Sequence, residues 1–292
     1  MDVAKSPYGN PELFNPASVQ VMGVINTTPD SFSDGGLFFD SIRAVEQGLK
    51  LAEEGADILD IGGESTRPGA EPVDETEEIR RVIPVITALA ENTSIPISID
   101  TYKSNVAKEA VSAGASIVND ISAMTFDPDM ARIVAESGCD LILMHILGTP
   151  RDMQRNPVYD NLLEEIATYL RGRVDFALKS GISQDKIWVD PGIGFGKRQT
   201  EEHRDNFEIL AHLPHFRGIG SKLVVGTSRK SFIGKALGGV SADARLYGGL
   251  GTFAWSALFG ADVLRVHDVA PTIEMLKLMS EIYSSFRKEG RL

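Results

Sequence analysis

Short apolar runs and longer amphipathic segments alternate along the chain. The longer segments carry apolar residues about four positions apart, as Ile166, Leu170 and Val174 do, and this spacing predicts helices with one buried face. The runs rich in Val and Ile predict eight strands, which are Val19–Asn26, Asp57–Gly62, Ile97–Asp100, Ile117–Asp120, Asp140–His145, Lys186–Asp190, Lys222–Gly226 and Val263–Val266.

Glycine follows several of the predicted helices and is itself soon followed by a strand. It does so at Gly55, Gly114, Gly138 and Gly260. Because glycine accepts the left-handed conformation that ends a helix, the same connection recurs. This alternation indicates an α/β fold, a (β/α)8 TIM barrel with one domain over residues 19–292 after a lead segment over residues 1–18. A doubly wound sheet would normally have a glycine fingerprint where this chain has Thr27-Thr28-Pro29-Asp30.

The charge balance excludes one class of protein. The 292 residues include 29 Lys and Arg against 41 Asp and Glu, which gives a formal net charge of −12. An ordinary duplex nucleic-acid binder is basic, so nucleic acid is not an expected partner. An anionic ligand would have to meet individual Arg and Lys side chains that concentrate positive charge locally.

Cysteine usage and hydropathy bear on the cellular compartment. Cys139 is the single cysteine and cannot form an internal disulfide. Residues 1–17 have neither a basic start nor an apolar stretch, and no run of about 18 apolar residues follows. We therefore expect a cytoplasmic protein with no signal peptide and no membrane partner.

Polar residues stand at or just after the carboxyl ends of the predicted strands. They are Asn26, Glu64, Asp100, Asn119, Asp120, His145, Asp190, Ser228, Lys230, Arg265 and His267. In a parallel barrel these positions meet at one mouth, where barrel enzymes carry out catalysis. Each residue alone could cap a helix, but that explanation is hard to sustain for the whole set. Asp60 lies within the second strand, where a salt bridge or inward packing is as expected as catalysis.

Two segments near the strand ends suggest how a ligand is held. The run Asp190–Lys197 fits neither a dinucleotide fingerprint nor a phosphate-binding P-loop, although its glycines would let a flat ligand approach the backbone. The run Gly226–Ser231 should open a helix whose start, with Lys230, suits an anion. Arg265 and His267 alternate along the last strand and project to one side, which suits a phosphate group.

Two predicted connections are long for a barrel. Residues 27–40 and 63–75 are rich in Gly, Pro, Ser, Thr and Asp. Long loops on one face of a barrel usually serve function. Both contain few apolar residues to bury, so we expect both to open easily in the free protein.

Several motifs together resemble one enzyme family. They are Met22-Gly23-Val24-Ile25-Asn26, Thr28-Pro29-Asp30-Ser31-Phe32-Ser33-Asp34-Gly35-Gly36, Gly62-Gly63-Glu64-Ser65-Thr66-Arg67-Pro68-Gly69, Asp190-Pro191-Gly192-Ile193-Gly194-Phe195-Gly196-Lys197, Ser228-Arg229-Lys230-Ser231 and Arg265-Val266-His267-Asp268. From residue 19 to about residue 270, the chain resembles dihydropteroate synthase. The resemblance implies a (β/α)8 barrel that joins 6-hydroxymethyl-7,8-dihydropterin pyrophosphate to p-aminobenzoate and releases pyrophosphate, with Mg²⁺. It also implies a homodimer that acts on small molecules and is a sulfonamide target.

The resemblance implies roles for individual residues. Catalysis would fall to Asp100, Asp190, Lys230, Arg265 and His267. The pterin would be held by Asp100, Asn119, Met144, Asp190, Gly226 and Lys230. The pyrophosphate would contact Asn26, Arg67, Arg265 and His267, with Asn26 also binding the Mg²⁺. The p-aminobenzoate would lie among Phe32, Thr66, Pro68, Phe195 and Ser231.

The implied mechanism is departure of pyrophosphate to leave a cationic pterin, which the arylamine then attacks. Two other functions fit the same barrel. A pterin-dependent methyltransferase domain would not need the loops around Phe32 and Thr66, whose presence favours the synthase. A non-catalytic pterin-binding paralogue would be expected to lack residues such as Asn26, Asp100 or Arg265, all of which are present.

Overall fold

The computed structural model describes residues 13–28 and 36–288, and its strands close into a parallel barrel. The strands are β1 Gln20–Asn26, β2 Ile58–Gly62, β3 Ile97–Asp100, β4 Ile117–Asp120, β5 Asp140–Met144, β6 Ile187–Asp190, β7 Lys222–Val225 and β8 Val263–Val266. Each strand pairs with the next along the chain, and β8 pairs with β1. This closure confirms the predicted (β/α)8 barrel, because a doubly wound sheet is open.

Helices connect the strands on the outside of the barrel. Within the described residues they are α1 Gly36–Glu53, α2 Glu75–Asn92, α3 Ser104–Ser112, α4 Met130–Ser137, α5 Leu162–Lys179, α6 Asp205–Ala211, α7 Ser231–Ala236, α8 Leu246–Leu258 and α9 Val269–Lys288. Both α7 and α8 lie between β7 and β8, so this connection holds one helix more than the simple repeat. In the described part of the chain, no helix has the length and apolar character needed to span a membrane.

The predicted strands agree with the structure to within one residue at each end. The prediction of a loop over residues 27–40 is wrong at its end, because α1 begins at Gly36. Glycine is a poor helix former, so Gly35 and Gly36 obscured this start. The second loop ends close to the predicted place, where Asp74 caps α2 by accepting a hydrogen bond from the Thr76 backbone N–H at 2.9 Å.

The interior of the barrel is apolar near the amino ends of the strands and more polar near their carboxyl ends. The layer near the amino ends is a separate apolar cluster formed by Met22, Ile58, Ile117, Ile142, Trp188, Val224 and Val263. Because side chains alternate along a strand, the residues two positions further along also face the interior, nearer the carboxyl ends. Those positions hold Val24, Asp60, Asn119, Met144, Asp190, Gly226 and Arg265. We call this set, together with Asp100 at the end of β3, the polar layer; it forms the floor of the mouth.

Candidate active site

An ion-pair cluster lies in the polar layer. The Arg265 guanidinium donates from Nε to Asp60 Oδ2 at 2.6 Å and from Nη2 to Asp100 Oδ2 at 2.7 Å. The Asn119 amide donates to the same Asp60 oxygen at 3.4 Å. Asp60 is fully buried, and its charge is compensated by Arg265. The salt-bridge interpretation of Asp60 is confirmed, and this residue holds two predicted site residues in place.

Asp60 and Asp100 each keep one buried oxygen without a hydrogen bond. Their Oδ1 atoms accept from no group of the residues that the structure describes. Burial raises the pKa of Asp100 to about 7; Arg265 opposes this rise, and the charge of Asp60 adds to it. A buried acceptor without a donor is costly, so this part of the mouth suits a ligand that carries N–H groups.

Asp190 is the last residue of β6, and Lys230 lies in the loop that follows β7. Asp190 Oδ1 accepts from the Gly192 backbone N–H at 2.7 Å. The Lys230 ammonium donates to the Ile193 carbonyl and lies 4.6 Å from the centre of the Phe195 ring. Burial raises the pKa of Asp190 and lowers that of Lys230 to about 8, while the charge of each group opposes the shift of the other. The two groups thus bring opposite charges to one side of the mouth.

A buried lysine holds the loop that follows β6. Lys197 Nζ lies 3.0 Å from the Gly192 carbonyl oxygen, 2.8 Å from that of Phe195 and 3.1 Å from His145 Nδ1. Gly192 has a φ of +69°, and a Cβ there would stand 1.8 Å from the His145 carbonyl oxygen, so only glycine fits. Lys197 had no predicted role. Its ammonium donates to carbonyl groups of its own loop, so the lysine at the end of this glycine-rich run has a structural role.

His145 is not at the mouth, contrary to the prediction from the strand ends. It comes one residue after Met144, so it faces the outside of the barrel and packs edge-on against Tyr169 of α5 with 5.0 Å between ring centres. Burial and Lys197 lower the pKa of His145 to about 2, and burial lowers the pKa of Lys197 to about 7. The imidazole is therefore neutral at physiological pH, and Nδ1 accepts a hydrogen bond from Lys197.

We predict that Lys197→Met lowers the free energy of unfolding by about 1–3 kcal/mol, because Gly192, Phe195 and His145 then keep buried acceptors without a donor. Urea denaturation measures the change. Lys235→Met is the matched control, since Lys235 is exposed on α7. Equal stability of the two variants would show that the buried ammonium does not support the loop.

His267 follows β8 and lies beside Ser228, in the loop after β7 that also holds Lys230. Its Nδ1 is 2.9 Å from Ser228 Oγ, and its backbone N–H donates to the same oxygen at 3.2 Å. Burial, followed by the charges of Arg265 and Arg229, lowers the pKa of His267 to about 4. The imidazole is neutral at pH 7, so it would contact an anion as a hydrogen-bond donor and not as a cation.

The run Gly226–Ser231 leads into a helix as predicted, but the helix is short. It is α7, which has 6 residues, and its first residue Ser231 is exposed. So short a helix has a weak dipole, and the positive charge at this point comes mainly from Lys230.

Four other predicted residues lie around the mouth. Met144 belongs to a small buried cluster, and Phe195 packs partly buried against it. Gly226 comes directly after β7, and a Cβ there would lie 3.6 Å from the Arg265 Cβ, which is an ordinary van der Waals distance, so this position stands beside the ion-pair cluster. Asn26 is half-buried at the end of β1.

The two long loops hold four of the predicted site residues. Phe32, predicted to contact p-aminobenzoate, lies outside the described residues. In the loop over residues 63–74, Thr66 is half-buried, while Arg67 and Pro68 are exposed. In this loop the Val73 backbone N–H donates to the Glu64 carboxylate at 2.8 Å, a contact that the composition of the loop did not indicate.

The sequence of the chain is similar to those of known proteins. The family described as pterin binding enzyme matches residues 22–267. The dihydropteroate synthase of Synechocystis sp. is 44% identical over 263 residues, which cover 90% of this chain and 90% of that protein.

The structure is similar to solved structures as well. The dihydropteroate synthase of Xanthomonas albilineans, solved with 4-aminobenzoic acid, is 43% identical with a TM-score of 0.83, and the match covers 91% of this chain and 93% of that one. The dihydropteroate synthase of Yersinia pestis, solved with a sulfonamide drug, is 39% identical with a TM-score of 0.85, and the match covers 92% and 96%.

Proposed function

The chain belongs to the pterin-binding enzymes and, among them, to the dihydropteroate synthases, and we propose that it acts through a cationic pterin bound over the polar layer. It is a transferase of folate biosynthesis, which joins 6-hydroxymethyl-7,8-dihydropterin pyrophosphate to p-aminobenzoate and releases pyrophosphate. One observation carries the proposed mechanism. In the buried cluster the carboxylates of Asp60 and Asp100 outnumber the cation Arg265, so the mouth favours positive charge on a ligand.

We propose that the pterin ring binds with its amino-pyrimidine edge toward Asp190 and Asp100. This edge offers parallel N–H donors, which a carboxylate accepts as a pair. Asp100 Oδ1 has no donor among the described residues, and Asp190 uses Oδ1 for Gly192 and leaves Oδ2 for a ligand. Asn119, Met144, Gly226 and Lys230 would complete the pterin site.

In the proposed mechanism the bond between the exocyclic carbon and the pyrophosphate oxygen breaks first, and both electrons leave with the oxygen. Arg265, His267 and Arg67 would contact the departing anion. Asp100 and Asp190 would stabilise the positive charge that develops on the pterin. The neutral amine of p-aminobenzoate is already nucleophilic, so it forms the new carbon–nitrogen bond without a general base to activate it. The proton that the nitrogen then loses passes to water.

The p-aminobenzoate would lie on the outer side of the pterin. Thr66, Pro68, Phe195 and Ser231 would surround it, together with Phe32. The Phe195 ring, held over Lys230, offers an aromatic face for the benzoate ring. We infer that sulfonamides enter the same place, since the relative from Yersinia pestis was solved with such a drug.

We propose that Mg²⁺ accompanies the pyrophosphate. No group of three or more His, Cys, Asp or Glu among the described residues could hold a metal ion. Mg²⁺ is commonly bound through substrate phosphates, waters and one or two protein oxygens, so the single amide oxygen of Asn26 fits an ion that arrives with the substrate. When bound, the ion would neutralise part of the charge of the leaving group.

The raised pKa of Asp100 predicts how activity depends on pH. Asp100 stabilises a cation only when it is ionised, and its pKa is about 7 instead of the usual value near 4. We expect kcat/KM for the pterin substrate to fall as the pH drops below about 7, because this ratio reports groups of the free enzyme. A pH profile measures it. A profile that stays flat down to pH 5 would contradict the assignment.

We propose a cytoplasmic homodimer. Exposed apolar side chains on or beside α7 and α8, among them Leu237, Tyr247 and Trp255, support an association through that face. Light scattering after gel filtration tests this, with a mass twice that of the chain expected. A monomer at micromolar concentration would contradict it.

An assay with purified protein tests the function itself. With both substrates, 7,8-dihydropteroate and pyrophosphate are expected in equal amounts, and no dihydropteroate is expected without p-aminobenzoate. A folded protein that forms no dihydropteroate but demethylates a methylated pterin would support the methyltransferase alternative.

A further inference from the structure

A cluster of charged residues lies beside the mouth and has no part in the proposed chemistry. Lys103 Nζ donates to Glu64 Oε2 at 2.6 Å and also to the Glu78 carboxylate. The Tyr102 hydroxyl donates to Glu64 Oε1 at 2.7 Å. Glu64 and Glu78 are buried, and the Lys103 side chain is 14% exposed. We call Glu64, Glu78, Tyr102 and Lys103 the loop clamp.

The loop clamp closes the loop over residues 63–74 on itself. Glu64 stands near the start of this loop, and its Oε2 accepts from the backbone N–H of Val73, near the end, at 2.8 Å. The Gly69 backbone N–H donates to the Pro150 carbonyl at 3.0 Å, which fixes the tip against the loop after β5. Thr66, Arg67 and Pro68 lie between these attachments, so their position depends on Glu64.

The loop clamp also joins this loop to the strand that ends in the pterin site. Tyr102 and Lys103 follow Asp100 by two and three residues. The backbone N–H of Thr101, which lies between Asp100 and Tyr102, donates to the Asn119 carbonyl at 3.1 Å. One short segment therefore supports both the carboxylate proposed for the pterin and the loop proposed for p-aminobenzoate and pyrophosphate.

We propose that Lys103 is a positioning residue, whose ammonium holds Glu64 so that Thr66, Arg67 and Pro68 stand where p-aminobenzoate and pyrophosphate bind. The inference rests on the proposed function of this loop. Two buried carboxylates converge on a single ammonium, so Lys103 cannot be removed without leaving like charges together. Burial alone would lower the pKa of Lys103, but the interactions with Glu78 and Glu64 are larger together, so this pKa is raised. Burial raises the pKa of Glu78.

Steady-state kinetics of Lys103→Met test the proposal. We expect the KM for p-aminobenzoate to rise about 10- to 100-fold, as for loss of a charged hydrogen bond. Calorimetric affinity for an unphosphorylated pterin should change less than about twofold, since the pterin residues are untouched. Lys103→Arg, which keeps the charge, should retain most of the affinity. Lys108→Met, an exposed lysine on α3, is the matched control.

A charge-compensating variant separates positioning from general damage. Glu78→Gln combined with Lys103→Met removes one of the two like charges, so it should recover most of the affinity for p-aminobenzoate that Lys103→Met loses. A role limited to packing predicts that the double variant is worse than either single one. If Lys103→Met does not fold, Glu64→Gln carries the test, with a smaller rise in KM in the same direction.

Hydrogen exchange at the Val73 amide gives a readout that does not depend on activity. In the free protein this amide should be protected, and it should exchange at least about tenfold faster in Lys103→Met than in Lys108→Met. If exchange rises but KM does not, the loop is clamped as described and its proposed substrate role is wrong. If neither changes, Lys103 does not position the loop.

Discussion

Replacing Arg265 by methionine is expected to lower the free energy of unfolding by about 3–5 kcal/mol and to reduce turnover by several decades. The guanidinium is the partner of both Asp60 and Asp100, and Asp60 lies fully inside the barrel. Without it, two carboxylates remain buried with no cation in hydrogen-bond contact. The cost is that of uncompensated charge, which is much larger than that of a lost surface pair.

Urea denaturation and steady-state kinetics check the two parts of this expectation. Arg132→Met is the control, since Arg132 pairs on the surface of α4 with Glu136 at 3.2 Å and should lose at most about 1 kcal/mol. Adding Asp60→Asn to the Arg265 variant should restore part of the stability but not the turnover. Similar losses for Arg265→Met and Arg132→Met would mean that the buried cluster is not an ion-pair network.

Replacing Asp190 by asparagine is expected to lower kcat/KM by about 10- to 100-fold with little change in stability, as for loss of one charged hydrogen bond. Asparagine keeps the shape of the side chain and can still accept from the Gly192 N–H through its one oxygen. What is lost is the negative charge opposite the pterin cation. Asp190 is a cleaner test than Asp100, because Asp100→Asn would also weaken the pairing of Arg265.

Kinetics and thermal unfolding of Asp190→Asn should be compared with those of Asp185→Asn, which changes an exposed carboxylate just before β6. The control should behave as the unmodified protein in both measurements. Unchanged kinetics for Asp190→Asn would remove this residue from the site, and a large loss of stability would give it a structural role.

The fold was predictable because its signals are local and repeated. Each strand is a short run that contains Val, Ile or Leu, and glycine ends helices such as α4, where Gly138 has a φ of +67°. Residues at the strand ends could be placed at one mouth because a parallel barrel brings all of these ends together. Their assignment to pterin, pyrophosphate and p-aminobenzoate came from the family resemblance and not from the pattern.

The partners inside the barrel were harder to predict. Asp60 could be seen as an odd charge in an apolar strand, but its pairing with Arg265 spans 205 positions and depends on the barrel register. The available signal was that Asp60 comes two residues after the apolar Ile58, so its side chain also faces the barrel interior. For His145 the same alternation points outward, and applying it would have removed this residue from the predicted mouth.

Contacts between loops were beyond sequence reasoning. Composition suggested that residues 63–75 would open easily, yet Glu64 binds Val73 and Lys103 there, and nothing in the local pattern shows that one carboxylate joins these two segments. The role of Lys197 was hidden for the same reason, since its three acceptors come together only when the loop folds back on β5.

The central claim is that pyrophosphate leaves before the amine attacks, so that the carboxylates of the polar layer face a pterin cation. Positional isotope exchange tests it most directly. The substrate would carry ¹⁸O in the bridge between carbon and phosphorus, and 4-methylbenzoate, which has no amine, would fill the second site. We predict that the label moves into the non-bridging positions of the same phosphorus, and more slowly in Asp190→Asn. A label that stays in the bridge, in enzyme that turns over normally once p-aminobenzoate is added, would show direct displacement by the amine and contradict the account.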